Sequence, residues 1–294
     1  MQTIDILVST VLALIMFGIG LSLELSDFSK IAKRPKAFLL ALASQMIALP
    51  LIAFFVASLF DIPNEIKVGL VILAASPGGS TSGFITHLFK ADVALSISLT
   101  VINSFLTLFS IPFVVNIALR YFMGQSTDIV LPFWDTFAHI FFIALIPAGL
   151  GVFVHHHFAV WATRVKDPVK WIMIVLLAFS FTIKIFAGKS SGGSGITWAE
   201  GVTILPSALT LNFLCLLFGY LFLKSFGFSH TTNLTASIES GVHNTTLAFL
   251  IAGTLLQNQD MIKPPLIYAI FSFWTALVWG FVTSKIAKHE IHLF

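Results

Sequence analysis

Glu239, His243 and Asn244 stand within six positions of one another in the stretch Ala236-Ser-Ile-Glu-Ser-Gly-Val-His-Asn-Thr-Thr-Leu-Ala-Phe-Leu250, whose surroundings otherwise read as membrane-spanning. A carboxylate at bilayer depth costs a few kcal/mol even on lenient insertion scales, so it normally faces a cavity or a partner. Gly241 and the Asn-Thr-Thr run interrupt the apolar pattern at the same point, which predicts a helix broken near its middle. Broken backbone at membrane depth persists only where protein or a water-filled cavity satisfies it. The plainer reading is a kinked span whose Glu239 pairs with a buried Lys. No Lys or Arg lies mid-span elsewhere, so an ion or substrate site is the better account. His243 has two readings: a proton acceptor one turn from the carboxylate, or a polar spacer donating to a backbone carbonyl.

A second interruption lies in Ala75-Ser-Pro-Gly-Gly-Ser-Thr-Ser-Gly83. Pro77 denies the span a backbone donor, and Gly78-Gly79 lets the chain leave helix geometry. Taken alone, this is a re-entrant turn or a packing kink. Taken with the first stretch, it predicts two half-helices, one starting near Ser80 and one near Asn244, that approach one point from opposite sides. Their positive dipole ends favour an anion, with Ser80, Thr81, Asn244 and Thr245 as donors. The freed carbonyls and Glu239 favour a hard cation with oxygen ligands. An anion site beside a cation site describes a cation-coupled organic-anion carrier.

The elements that must position these residues are apolar. Of 294 residues, 57% are hydrophobic and 10% charged, and the mean hydropathy is +0.97. Soluble domains carry about 25% charged residues, so the chain is an all-α integral membrane protein in a lipid bilayer, with helical spans and no barrel strands. The first run, from Ile4, is too long for a signal peptide and lacks a cationic start. The net charge of +3 carries no implication of nucleic acid, and no protein partner is implied. The single Cys215 excludes an intrachain disulfide and a multi-thiolate metal site. Enzyme chemistry would need a nucleophile–base pair or paired aspartates in the spans, and mid-span Asp is absent; no catalytic residue and no cofactor is expected. Gly188-Lys-Ser190 lacks the first glycine of a phosphate-binding loop, because Ile183 stands in its place, and 188–195 reads as a flexible external linker. His155-His-His157 reads as a solvated helix end.

Nine spans follow from length and hydropathy: 4–22, 37–59, 66–89 (broken), 93–121, 131–156, 168–187, 201–224, 230–257 (broken) and 264–286. The two broken spans lie five apart and so cross in opposite directions. Paired interruptions in two inverted halves point to the binding site of a secondary transporter. Placing the first loop in the cytoplasm puts eleven of the 16 Lys and Arg inside. The N-terminus is then outside and the C-terminus cytoplasmic, in a plasma or inner membrane.

At this point the residues resemble the bile acid:sodium symporter family. Phe17-Gly-Ile-Gly-Leu-Ser-Leu-Glu-Leu-Ser-Asp-Phe28 looks like that family's first-loop signature. Ser44-Gln-Met-Ile-Ala-Leu-Pro50 is similar to its Gln-containing helix, and Pro77-Gly-Gly-Ser-Thr-Ser82 to its first crossover. Asp92-Val-Ala-Leu-Ser-Ile-Ser-Leu-Thr100 and Ile238-Glu-Ser-Gly-Val-His-Asn244 complete the set, in the family's order and spacing. The resemblance implies the nine-helix form, with a panel bundle (1–35 and 131–195) and a core bundle (36–130 and 196–294) whose crossovers lie near 77–83 and 239–246. It implies alternating access and sodium-coupled symport of an organic anion, bile acid-like or a small carboxylate. It also implies a first sodium site from Ser82, Ser96, Thr100 and Glu239, and a second from Gln45, Glu239 and the carbonyls of Ser240 and Val242. Gly83 stands where the family has an Asn, and His243 where it has a Gln, so each site departs from the pattern by one amide. Asn103, one turn beyond Thr100, is a candidate replacement amide. The alternative on the same fold is a proton-coupled carrier or a uniporter.

The charge asymmetry makes a direct prediction. A cysteine introduced at Ser191 should react with a membrane-impermeant thiol reagent in intact cells, and one at Lys288 should not. The reverse labelling pattern would invert the orientation.

Overall fold

A computed structural model describes residues 2–21, 35–79, 81–124, 129–186 and 194–291. The expected site residue Ser80, the first-loop signature beyond position 21, linker positions 188–193 and the tail past position 291 lie outside the described residues. Eleven helices account for most of the described chain: α1 (Gln2–Leu21), α2 (Pro35–Leu59), α3 (Asn64–Ala74), α4 (Ser82–Leu88), α5 (Val93–Met123), α6 (Phe133–His157), α7 (Ala159–Phe186), α8 (Trp198–Ser225), α9 (His230–Gly241), α10 (Thr245–Leu255) and α11 (Lys263–Ile291). There is no strand among the described residues. Each expected span overlaps one helix or, for the two broken spans, a pair: α3 with α4, and α9 with α10. Five of them, α2, α5, α6, α8 and α11, are long and apolar enough to cross a membrane.

The helix limits have local causes. The Asp92 carboxylate accepts from Leu95 N at 3.1 Å and starts α5. Thr197 and Glu200 form a reciprocal capping box at the start of α8. Ser229 caps α9 and Asn244 caps α10, the latter accepting from Leu247 N at 3.0 Å. The largest departure from the expected boundaries is at α7, which begins at Ala159, nine positions before the predicted span, and runs through Pro168. Hydropathy marks where a helix is apolar enough for lipid, and a helix continues past that point while its backbone bonds are intact. α2 and α6 each contain a π-turn, at Ser44–Ala48 and Phe141–Leu145. Each lies just ahead of a proline, Pro50 or Pro147, whose missing N–H and ring disturb the bonding ladder one turn earlier.

Packing sorts the helices by depth. α3 is buried almost throughout, and every residue of α9 from Thr232 to Gly241 is buried. α8, α11 and α2 enclose them, and their outer faces expose Leu51, Phe55, Phe213, Trp274 and Phe281, as lipid contact requires. α1 packs against α6 and α7. Its approach to α6 is close enough that a Cβ on Gly20 would lie 2.0 Å from the Ala148 carbonyl oxygen. One on Gly151 would lie 2.2 Å from that of Phe17. Small residues permit such backbone contact between membrane helices, where van der Waals packing supplies much of the association. At the opposite end of the sequence, Lys263 ties the start of α11 to the start of α8, donating to Glu200 at 2.5 Å and to Asp260 at 2.7 Å.

The glycines of α6 therefore separate packing from propensity. Gly151→Ala should lower the detergent melting temperature by the equivalent of about 1–3 kcal/mol of overpacking. Gly149→Ala, two positions away with open space around it, should be neutral or stabilising through helix propensity. Equal losses from both would show that contact with α1 does not set the cost.

Candidate functional site

The two broken spans meet backbone to backbone. Pro77 and His243 form an isolated antiparallel bridge, and Asn244 N donates to the Ser76 carbonyl at 2.7 Å. This satisfies part of the polar backbone that the breaks release, as the low-dielectric surroundings demand. Gly78 turns the first segment with φ +73°, in the left-handed region that glycine adopts without a Cβ penalty. A Cβ there would sit 3.3 Å from Glu239 Oε2 and 3.5 Å from Thr100 Oγ1, so the first break passes directly against the carboxylate.

Glu239 is fully buried on the last turn of α9. It has no Lys or Arg partner among the described residues; it is held instead by hydroxyls. Ser96 Oγ donates to Oε1 and Thr100 Oγ1 to Oε2 at 3.1 Å, both from α5, with one helical turn between them. Ser82, at the first turn of α4, lies beside the carboxylate and donates to the Gly79 carbonyl at 2.6 Å. The residues expected for the first cation site are thus brought together. Gly83 follows Ser82, and a Cβ on it would have only Ser96 Oγ, at 3.7 Å, as a neighbour.

The residues expected for the second site lie on two walls. Gln45 is buried on the π-turn of α2, and Asn103 of α5 donates its amide to Gln45 Oε1. Gln45 Nε2 and Asn103 Oδ1 are buried without partners. Reversing both amides gives the same contact and frees Gln45 Oε1 instead, so in either orientation one amide oxygen is unpaired. Val242 and His243 form the extended link after α9, while the Ser240 side chain turns toward Gly219 of α8. The expected anion contacts Thr81, Asn244 and Thr245 are partly exposed at the crossover, and the Asn244 side-chain oxygen Oδ1 is engaged in capping α10.

Two buried residues that sequence reasoning missed support the crossover from behind. The Gly241 carbonyl, released at the end of α9, accepts from Tyr268 Oη at 2.6 Å and from Asn212 Nδ2 at 2.9 Å. Asn212 also donates to Tyr268 Oη at 2.9 Å, and His243 Nδ1 lies 2.8 Å from the same oxygen. Asn212 carried a signal, since it is an amide inside an apolar span. Tyr268 carried little, because an aromatic side chain in a membrane helix is ordinary.

Two helices broken at one point around a buried carboxylate, among long apolar helices, are the arrangement that points to the binding site of a secondary transporter. Residues 9–194, more than half of the chain, match the Sodium Bile acid symporter family, and the chain belongs to that family. It is 27% identical over 245 residues to a probable chloroplastic sodium/metabolite cotransporter of Arabidopsis thaliana, covering 82% of this chain and 57% of that protein. It is 24% identical over 277 residues to an uncharacterized sodium-dependent transporter of Bacillus subtilis, covering 94% and 82%. With the human hepatic sodium/bile acid cotransporter it shares 26% over 299 residues, covering 97% and 84%.

The two glycines beside the carboxylate should respond oppositely to side chains. Gly78→Ala should cost about 1–2 kcal/mol for the left-handed backbone and crowd Glu239, lowering both melting temperature and uptake. Gly83→Asn should fold with an unchanged melting temperature, because the space around its Cβ is open. A stable, active Gly78→Ala protein would show that the backbone there is free to rearrange.

Proposed function

We propose that the protein is a secondary active transporter that couples the movement of sodium to symport of an organic anion by alternating access. The observation that carries this reading is Glu239, a fully buried carboxylate held by Ser96 and Thr100 where the two broken helices meet. A hard cation entering among these oxygens would replace the hydroxyl protons as the carboxylate's partner, and its charge would offset the cost of burying the anion. Ser82, Ser96, Thr100 and Glu239 would hold one sodium. Gln45, Glu239, His243 and the carbonyls of Ser240 and Val242 would hold the other, with Asn103 adding an amide. Ser80, Thr81, Asn244 and Thr245 would meet the anion. Because the carboxylate belongs to both sets, occupancy of either would be felt at the crossover backbone, which connects ion binding to the substrate's position.

The packing of α1 with α6 and α7 supports a panel of those three helices rocking against a core of the remainder. The relatives' names speak of sodium with bile acids or metabolites, which supports sodium as the coupling ion and a bile acid-like or small carboxylate as substrate. We assign the N-terminus to the outside of a plasma or inner membrane. The second reading, a proton-coupled carrier or a uniporter, is favoured by Gly83 and His243, which each replace an amide of the family pattern.

Glu239→Gln keeps the side chain's size and one acceptor oxygen and removes the charge. In proteoliposomes with sodium and proton gradients imposed separately, the wild type should concentrate a labelled organic anion under a sodium gradient. The folded Glu239→Gln protein should fall to passive equilibration. Accumulation driven by the proton gradient alone would favour the second reading, and normal accumulation by Glu239→Gln would leave a carrier without ion coupling at this site.

A further inference from the structure

We infer that Tyr268 is a positioning residue for the second cation site: it holds His243 in the tautomer whose Nε2 carries an unshared electron pair, so that this position acts as an acceptor. The inference rests on the sodium-coupled reading above. Tyr268 Oη lies 2.6 Å from the Gly241 carbonyl oxygen, a separation two oxygens reach only with a proton between them. A tyrosine hydroxyl has one hydrogen, and it is spent there. Asn212 Nδ2, at 2.9 Å, can only donate to Oη. His243 Nδ1, at 2.8 Å, has no hydrogen left to accept from Oη and must therefore donate to it.

A neutral imidazole that donates from Nδ1 carries its electron pair on Nε2, on the far side of the ring from Tyr268. His243 is 3% exposed and its Nε2 has no hydrogen-bond partner. A doubly protonated ring would place an unpaired cation in that buried position, which is far more costly than a neutral one. An unpartnered buried acceptor carries a desolvation cost, which a bound cation would return. The position is the one where the family pattern places a Gln, whose amide oxygen needs no tautomer to be selected. A histidine performs the same task only if something fixes which nitrogen is free. Groups that accept the second N–H of a ligating histidine commonly do this. Here the acceptor is a tyrosine hydroxyl on α11, itself oriented by the carbonyl that the helix break releases.

The test is a double-mutant cycle read by sodium-dependent thermal stabilisation of the purified full-length protein, with choline as the ionic-strength control. Tyr268→Phe should raise the half-saturating sodium concentration about tenfold, the lower end of what losing such a partner costs. In the His243→Gln background, Tyr268→Phe should leave half-saturation where His243→Gln alone puts it. An equal rise in both backgrounds would mean that Tyr268 acts only through the Gly241 carbonyl, and the inference fails. Absence of any sodium-specific stabilisation in the wild type would instead defeat the sodium reading itself. If Tyr268→Phe does not fold, nitrogen NMR of histidine-labelled wild type decides. The resonance lost in His243→Gln should show an unprotonated Nε2 and a protonated Nδ1, and the opposite pattern overturns the assignment.

Discussion

The structure depends on keeping a carboxylate out of water with no basic partner among the described residues. Glu239 is fully buried, and its oxygens are occupied by the hydroxyls of Ser96 and Thr100. Two hydroxyl donors lower the cost of burying the anion without neutralising it. A lysine in their place would form a closed ion pair, with no reason to accept another cation. Hydroxyls carry no charge, so under the proposed reading the carboxylate would keep its capacity to bind a cation. The spacing of Ser96 and Thr100 on α5 and the passage of Gly78 against the carboxylate both follow from that arrangement.

Breaking two helices at one place has its own cost, since each break releases backbone donors and acceptors into a region without bulk water. The chain meets this from three directions. The breaks bond to each other through Ser76, Pro77, His243 and Asn244. Asn244 caps the helix that follows it. Asn212 and Tyr268 reach from α8 and α11 to the Gly241 carbonyl. The crossover is therefore held by its own backbone in front and by side chains behind.

Much of this was legible in the residues. The helical membrane class followed from the long apolar runs and the low share of charge, because lipid leaves the backbone few ways to satisfy itself. Both interruptions were visible as Pro77-Gly-Gly79 and Gly241 with its polar neighbours, and the helices break there. The Ser96, Thr100 and Glu239 grouping followed only from the family resemblance, since residues some 140 positions apart carry no local signal of contact. The start of α7 was misplaced, because hydropathy reports lipid contact and not the reach of the hydrogen-bond ladder through Pro168.

The sequence by itself determined what must be buried and where helix geometry must fail: an acidic side chain in an apolar span, and proline and glycines where the backbone turns. These are properties of single residues and their immediate neighbours, governed by solvation and backbone sterics. Only the tertiary structure decided which groups share a proton. That Gln45 meets Asn103, and that Tyr268 spends its hydrogen on Gly241 and so receives one from His243, depends on four helices arriving within hydrogen-bond distance. Direction in a hydrogen bond is set by how many protons the whole cluster holds, and that number exists only once the cluster is assembled.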